Sequence, residues 1–296
     1  MNDNTEKISN GLAFEKTFRL GHSWVCVFDS HGRAVNVTHD PECPCHLEGV
    51  EVRVFGPDSV IGALDYALIR SFGEEYKATF PFDEAKDWIT IVERCLSISK
   101  VYPGVDVWIA TLTDRRIPVG AMVVERYPAS GVLLVTYCFI HHAMRRSGKG
   151  YSKRLIEEGL AGICRLAGIP RREAHIVFEG ENPGRMPAKD IAAAPFNPET
   201  RIAWFKSIGA RRLDFHYVAP PLSSEKDPVS YLDMYSLCSG SLPVGTLKAF
   251  LKEFYKVHES NVTPEDMAIY RRSLSRQLDD ISRNQFNGYV NETIPS

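Results

Sequence analysis

No stretch of this 296-residue sequence approaches the roughly 18 consecutive apolar residues that a membrane-spanning helix needs. The opening MNDNTEKISNGLAFEK also lacks the apolar core of a secretory signal. An excess of charge of one sign is missing as well: 35 basic side chains stand against 37 acidic ones, a formal net charge of -2, so nothing in the balance draws nucleic acid. Internal repeats and low-complexity segments are absent. These absences predict a soluble, cytoplasmic protein with neither nucleic acid nor membrane as a partner.

Paired-cysteine architecture is not expected either. The cysteines number seven, an odd count, and Cys26, Cys95, Cys138 and Cys164 sit in apolar periodic stretches, where a reduced thiol behaves as a small hydrophobe. The segment HDPECPCHLE gathers His39, Cys43, Cys45 and His46, all metal-ligand types. Their spacing is too compact for the usual paired-ligand zinc pattern, so the segment reads as a connector and no metal is expected.

What is present is an orderly alternation of periods. Residues 22–38 alternate apolar and polar about Ser30-His31-Gly32, which predicts a hairpin. From Gly49 the pattern predicts a strand over 50–55, helices over 57–76 and 83–99, and an antiparallel meander of strands over 105–112, 118–126 and 132–141. A helix over 151–166 follows, carrying Leu155, Ile156, Leu160 and Ile163 on one face. A strand over 174–178, a Pro/Ala-rich loop over 183–198 and a helix opened by Asn197-Pro198 and stopped by Gly209 come next. Strands over 213–218 and 230–237 close an α+β domain on one mixed, mostly antiparallel sheet flanked by helices. The expected organisation is an N-terminal extension over 1–48, the sheet domain over 49–238, and a helical extension over 239–296. In that extension one helix carries Leu247, Phe250, Leu251 and Phe254, and another carries Met267, Tyr270, Leu274, Leu278 and Ile281. These stripes need burial, either on the sheet domain or in a partner subunit, which leaves a homodimer open.

The segment with chemical content is RRSGKGYSKRLIEEGL, 145–160. A glycine-rich turn after a strand, opening into an amphipathic helix, gathers backbone N–H groups and the positive end of a helix around one concavity, and so suits a pyrophosphate. Arg145, Arg146 and Lys149 add formal charge. The Walker A pattern fails, since no glycine stands five positions before Gly148 and no Ser or Thr follows the lysine; the GxGxxG dinucleotide pattern fails too.

This segment resembles the pyrophosphate loop of the GNAT superfamily of acyl-CoA-dependent N-acyltransferases, in which Arg or Gln, two residues, Gly, one residue, and Gly or Ala precede a helix with paired leucines. Two registers fit: Arg145-Arg146-Ser147-Gly148-Lys149-Gly150, and Ser147-Gly148-Lys149-Gly150-Tyr151-Ser152 counted back from Leu155-Ile156. The resemblance covers roughly 49–237 and implies acetyl-CoA or another acyl-CoA as co-substrate, with Ile140 and residues 145–152 at the coenzyme. It further implies a primary-amine acceptor, and backbone amides near the end of the 132–141 strand polarising the thioester. The tyrosine that many such enzymes use to protonate the leaving thiolate falls at Phe205, which has no proton to give. Tyr217 and Tyr137 are the candidate substitutes. Glu179 and Glu181 lie where the resemblance puts the reacting carbon, and Glu181 is the expected base. The early helices, with Glu74, Glu75, Asp83, Glu84 and Asp87 beside Phe80, Phe82 and Trp88, are expected to line a cationic acceptor's site. The loss of the tyrosine keeps a second reading open, a catalytically impaired acyl-CoA-binding module or sensor.

Overall fold

The computed structural model describes residues 49–57, 59, 61–80, 85–97, 104–145, 147–193 and 197–293, together with the backbone of 16–19, 24–28 and 34–39. Cys43, Cys45, His46, Phe82, Asp83, Glu84 and Arg146 lie outside the described residues.

The N-terminal strands β1 (Lys16–Arg19), β2 (Trp24–Phe28) and β3 (Ala34–His39) form a three-stranded antiparallel sheet. Its β2–β3 pairing is the expected hairpin, and β1 is an addition to it.

The main sheet begins with β4 (Val50–Phe55), β5 (Asp106–Asp114), β6 (Ile117–Tyr127) and β7 (Val132–Ile140), an antiparallel run whose β-branched and aromatic residues suit a pleated, half-buried surface. β8 (His175–Glu181) then joins β7 in parallel, and β10 (Leu232–Ser236), β9 (Arg211–Leu213) and β11 (Glu292–Thr293) complete the order β11-β9-β10-β8-β7-β6-β5-β4. The sheet is mixed and mostly antiparallel.

One face is covered by α4 (Tyr151–Leu166) and α6 (Pro198–Ser207). α4 can lie close because Gly159 faces the sheet, where a Cβ would come within 3.0 Å of Ala110 and 2.8 Å of Met122. The opposite face is shared. Over β5, β6 and the end of β7 lie α1 (Ala63–Ser71), α2 (Gly73–Thr79) and α3 (Trp88–Cys95). Over Leu134 and Val177 lie α7 (Val244–His258) and α8 (Met267–Arg283). The apolar stripe of α7 is therefore buried within its own chain: Leu247, Phe250 and Leu251 are all fully enclosed. Among the described residues no helix is long and apolar enough to cross a membrane.

Several expectations needed correction. The single helix over 57–76 breaks at Phe72, which ends α1 and begins α2, so that Ile69, Phe72 and Tyr76 all pack in the same core cluster as Trp88. The helix expected over 83–99 shortens to α3, capped by the Asp87 carboxylate and followed by Ser97 at φ 56°. The Pro/Ala-rich loop holds a short α5 (Ala188–Ala193). The strand expected over 213–218 stops at Leu213: the Phe215 amide turns back to the Leu213 carbonyl (3.1 Å), and side chains of α8 then take the amides of His216, through Asp280, and Val218, through Gln277. A bridge between Ala219 and Val229 then closes an excursion that returns to β10.

Candidate active site

The parallel strands β7 and β8 pair only from Val132–His175 to Val135–Phe178, and beyond that point they run unpaired. Their divergence coincides with a register shift in β7. Val124 pairs with Val135 but Val123 with Tyr137, which leaves Thr136 as the extra residue of a bulge. A bulge re-aims the strand and frees backbone groups from the ladder at the mouth of the gap.

At the far end of β7 the chain makes a 3₁₀ turn, His142–Met144, and then the glycine loop. Gly148 and Gly150 both adopt left-handed conformations, φ 71° and 66°, which a side chain would resist. Gly150 is the N-cap of α4, and no side chain caps that helix. The first N–H groups of α4, on Tyr151, Ser152 and Lys153, have no intrahelical acceptor and converge with the loop amides, so the positive end of a 16-residue helix faces the concavity.

A mixed sheet whose one parallel pair divides at a bulge, above a glycine loop at a helix N-terminus, decides the fold type. The layout is the GNAT-like one that the resemblance of 145–152 implies.

The loop's basic residues are placed differently from one another. Arg145 turns back: its Nε donates to the Ile140 carbonyl (2.7 Å), and its guanidinium reaches Glu75 (2.6 Å) and Thr79 (3.0 Å) on α2. Glu75, buried, also accepts from the His142 amide (3.0 Å) and lies 2.8 Å from His142 Nδ1. Glu75 thus anchors the loop rather than lining an acceptor site, and Glu74 stands exposed beside Lys77. Lys149 extends to Asp114 (2.7 Å), which Tyr151 also reaches through its hydroxyl, and these two donors hold the Asp114 carboxyl below the usual carboxylate range. With Arg145 spoken for, and the Ser147 amide donating to the Met144 carbonyl (3.2 Å), the amides of 148 and 150–152 are the ones left for the concavity. Replacing Glu75 with Ala would leave the half-buried Arg145 without its charged acceptor. We expect a loss of about 2 kcal/mol in urea unfolding and a weaker hold on coenzyme, with equal values in both measurements for parent and variant counting against this anchor.

Below the gap, on the face opposite α4, is a cavity of about 80 Å³. Its polar lining is Lys86, Thr136, Tyr137, Glu179, Glu181 and Arg201, and its apolar lining includes Phe80, Leu134, Leu222, Val229 and Phe254. Alternation along β8 sends Glu179 and Glu181 to this face, while Phe178 and Gly180 meet Phe205 on the other.

The two carboxylates differ in their partners. Glu181 is in an ion pair with Arg201 at 2.5 Å, so its charge is already met. Glu179 accepts a hydrogen bond from Tyr217, which is fully buried. Burial raises the Glu179 carboxyl above its ordinary value, and the Tyr217 hydroxyl and the Lys86 charge only partly offset this. Tyr137, by contrast, accepts the Lys86 amide hydrogen at 3.0 Å and helps hold the segment before α3. Phe205 packs edge-on to Phe178 at 4.8 Å and against Tyr235 at 5.0 Å, so the position lost by tyrosine has become aromatic core.

A buried charge cluster that sequence reasoning missed supports the cavity. Glu125, in the middle of β6, takes Lys86 (2.9 Å), Arg94 (2.8 Å) and the Tyr127 hydroxyl (2.8 Å). Burial would raise its pKa, but the two cations beside it hold it far below the carboxylate range. The signal was a lone carboxylate inside the apolar run 119–127, with a basic residue, Arg94, on the buried stripe of an amphipathic helix.

No family model matches the chain, and no curated protein matches it. Solved structures similar to it include a candidate GNAT-family acetyltransferase from Bacteroides thetaiotaomicron, at 18% identity over 71% of this chain and 99% of that one, with a TM-score of 0.48. Another, from Desulfovibrio desulfuricans, has 16% identity over 65% of this chain and 100% of that one, at a TM-score of 0.41. A third, a candidate streptothricin acetyltransferase from Bacillus anthracis in complex with acetyl coenzyme A, has 16% identity over 47% and 64% at 0.29.

Proposed function

We propose that this protein transfers an acyl group, acetyl in the simplest case, from coenzyme A to a primary amine. The observation that carries the reading is the half-buried Glu179, facing the gap between β7 and β8, with the glycine loop at the far end of the same β7 strand. The loop amides of 148 and 150–152 hold the pyrophosphate, and the gap admits the acyl-pantetheine arm. The amide groups freed at the Thr136 bulge face the thioester carbonyl and stabilise the charge that develops on its oxygen.

Glu179 takes the proton from the attacking amine. A carboxylate whose pKa burial has raised is a better base near neutrality than an exposed one, and its position in the cavity meets the requirement of reach. Glu181, neutralised by Arg201, orders the rim instead. The thiolate then leaves, and Phe205 offers it no proton; once protonated, Glu179 is the strongest acid facing the cavity and returns the proton. Thioester turnover against a panel of amines, read as free thiol, tests the reading. A protein that binds acetyl-CoA but releases no thiol with any amine would instead be the acyl-CoA-binding sensor that the loss of the tyrosine leaves open.

Tyr217 gives this mechanism a pH signature. Its hydroxyl lowers the Glu179 pKa, so Tyr217→Phe should raise it. The base must be ionised to work, so the acidic limb of the kcat/KM profile should move to higher pH while the plateau changes little. A profile that stays in place would remove the Tyr217–Glu179 pair from catalysis.

A further inference from the structure

Gln277 lies in the buried stripe of α8, in line with Tyr270 and Ile281, and is only 2% exposed. A hydrocarbon side chain would fill that position without the cost of desolvating an amide, so the amide has to be matched by partners. Those partners lie on other segments. Gln277 Oε1 accepts the Val218 amide hydrogen (3.3 Å), and Gln277 Nε2 donates to the Val218 carbonyl (3.3 Å) and to the Tyr255 hydroxyl (2.6 Å). The Tyr255 hydroxyl, from α7, in turn donates to the same Val218 carbonyl (2.7 Å). One side-chain amide thus meets both backbone groups of Val218, as a neighbouring strand would.

What the clamp holds has a direct link to the candidate base. Between the turn at Phe215 and the Ala219–Val229 bridge, α8 also takes the His216 amide through Asp280 (2.7 Å). Between the anchors at His216 and Val218 stands Tyr217, fully buried, whose hydroxyl donates to Glu179. A tyrosine side chain is a rigid ring on two torsions, so where its hydroxyl ends depends on where its backbone is pinned.

We propose that Gln277 and Tyr255 are positioning residues for the acyl transfer: by clamping Val218 they hold the Tyr217 hydroxyl on Glu179, which makes the C-terminal helices part of the active site as well as a cover for the sheet. The inference rests on the transfer reading above for its catalytic meaning, but the clamp itself is testable in the resting protein. Several groups besides Tyr217 face Glu179: Lys86 ahead of α3, Glu125 and Tyr127 on β6, Tyr255 on α7, and Glu181 with Arg201 along the cavity. A change at Gln277 alters none of these charges, so its effect on Glu179 has to come through Tyr217. The Tyr217 hydroxyl favours the ionised carboxylate, so a slack clamp raises the Glu179 pKa.

Carbon NMR of the full chain, with glutamate labelled at its side-chain carboxyl, follows the titration of Glu179 without any acceptor, and the Glu179→Gln variant identifies its signal. Tyr217→Phe should move the Glu179 midpoint up by roughly one pH unit, the loss of one hydrogen bond to a charged group. Gln277→Met, which keeps the length of the side chain and removes its amide, should move the midpoint in the same direction. The double variant should go no further than Tyr217→Phe alone. Tyr255→Phe repeats the test from the other side of the clamp should the change at Gln277 impair folding. The acidic limb of the kcat/KM profile, measured with acetyl-CoA and the amine turned over best, should follow the same order. Folded Gln277→Met and Tyr255→Phe proteins that unfold at lower temperature while Glu179 titrates as in the parent would reduce the clamp to a structural contact and leave the transfer reading standing. A double variant that shifts well beyond Tyr217→Phe would also overturn the inference, since the effect would then bypass Tyr217. Midpoints that move as expected in a protein that turns over no amine would keep the clamp and remove the transfer reading.

Discussion

Glu179→Gln is expected to lower kcat/KM for amine acetylation by about 100- to 10,000-fold, the range that a positioned general base contributes. Affinity for acetyl-CoA should hardly change. The substitution is nearly isosteric and still accepts a hydrogen bond from Tyr217, so the fold has little reason to respond. What it loses is the ability to take a proton, and the cavity has no ready replacement, because Glu181 is engaged by Arg201. Glu181→Gln is the informative companion. It leaves Arg201 without its anionic partner and should affect stability or acceptor KM more than the pH dependence of kcat. If Glu181→Gln abolished turnover while Glu179→Gln retained it, the roles assigned to the two carboxylates would be reversed. Acetyl-CoA titrations by calorimetry on both variants separate coenzyme binding from chemistry.

Gly150→Asp should weaken acetyl-CoA binding a hundredfold or more. The expected cause is electrostatic rather than a failure of folding. Nothing lies within 4 Å of where its Cβ would stand, and aspartate tolerates the left-handed conformation better than most residues. The new carboxylate would stand at the N-terminus of α4, where it would itself cap the free amides and repel the pyrophosphate. Charge-assisted hydrogen bonds would be lost and a like charge added at one point. Lys149→Ala should do much less. Its ammonium is exposed and already drawn to Asp114, so its loss should be modest and should shrink further as salt rises. A folded Gly150→Asp protein, verified by its thermal transition, that bound acetyl-CoA as well as the parent would remove the glycine loop from coenzyme recognition.

The ends of α4 follow from the sequence alone, because its signals are local: two glycines before the helix, apolar residues at helical spacing within it, and Gly168 after it. The meander was legible for the same reason. Alternation and turn residues act over a few positions, and they placed β4 through β7 within a residue or two of their ends. The resemblance of 145–152 to a GNAT loop likewise needed only a short segment.

Which partners the candidate groups meet was decided by contacts between distant segments. Sequence supplied Glu179 and Glu181 as a pair two residues apart on one face of a strand and favoured Glu181 as the base; Arg201, from α6, neutralises that one, and Tyr217, beyond β9, attends the other. Arg145 looks like a phosphate ligand by its place in the motif, yet Glu75, 70 residues earlier, takes its guanidinium. The acidic residues of the early helices suggested an acceptor site, but their directions depend on how α2 docks at the end of β7. Past Leu213 the expected strand gives way to a turn at Phe215 and to side chains of α8, whose demand for the amides of His216 and Val218 no local pattern records. Periodicity reports which way a side chain points relative to its own element. Only packing reports what it then meets, and the proton affinity of a buried carboxylate depends on what it meets.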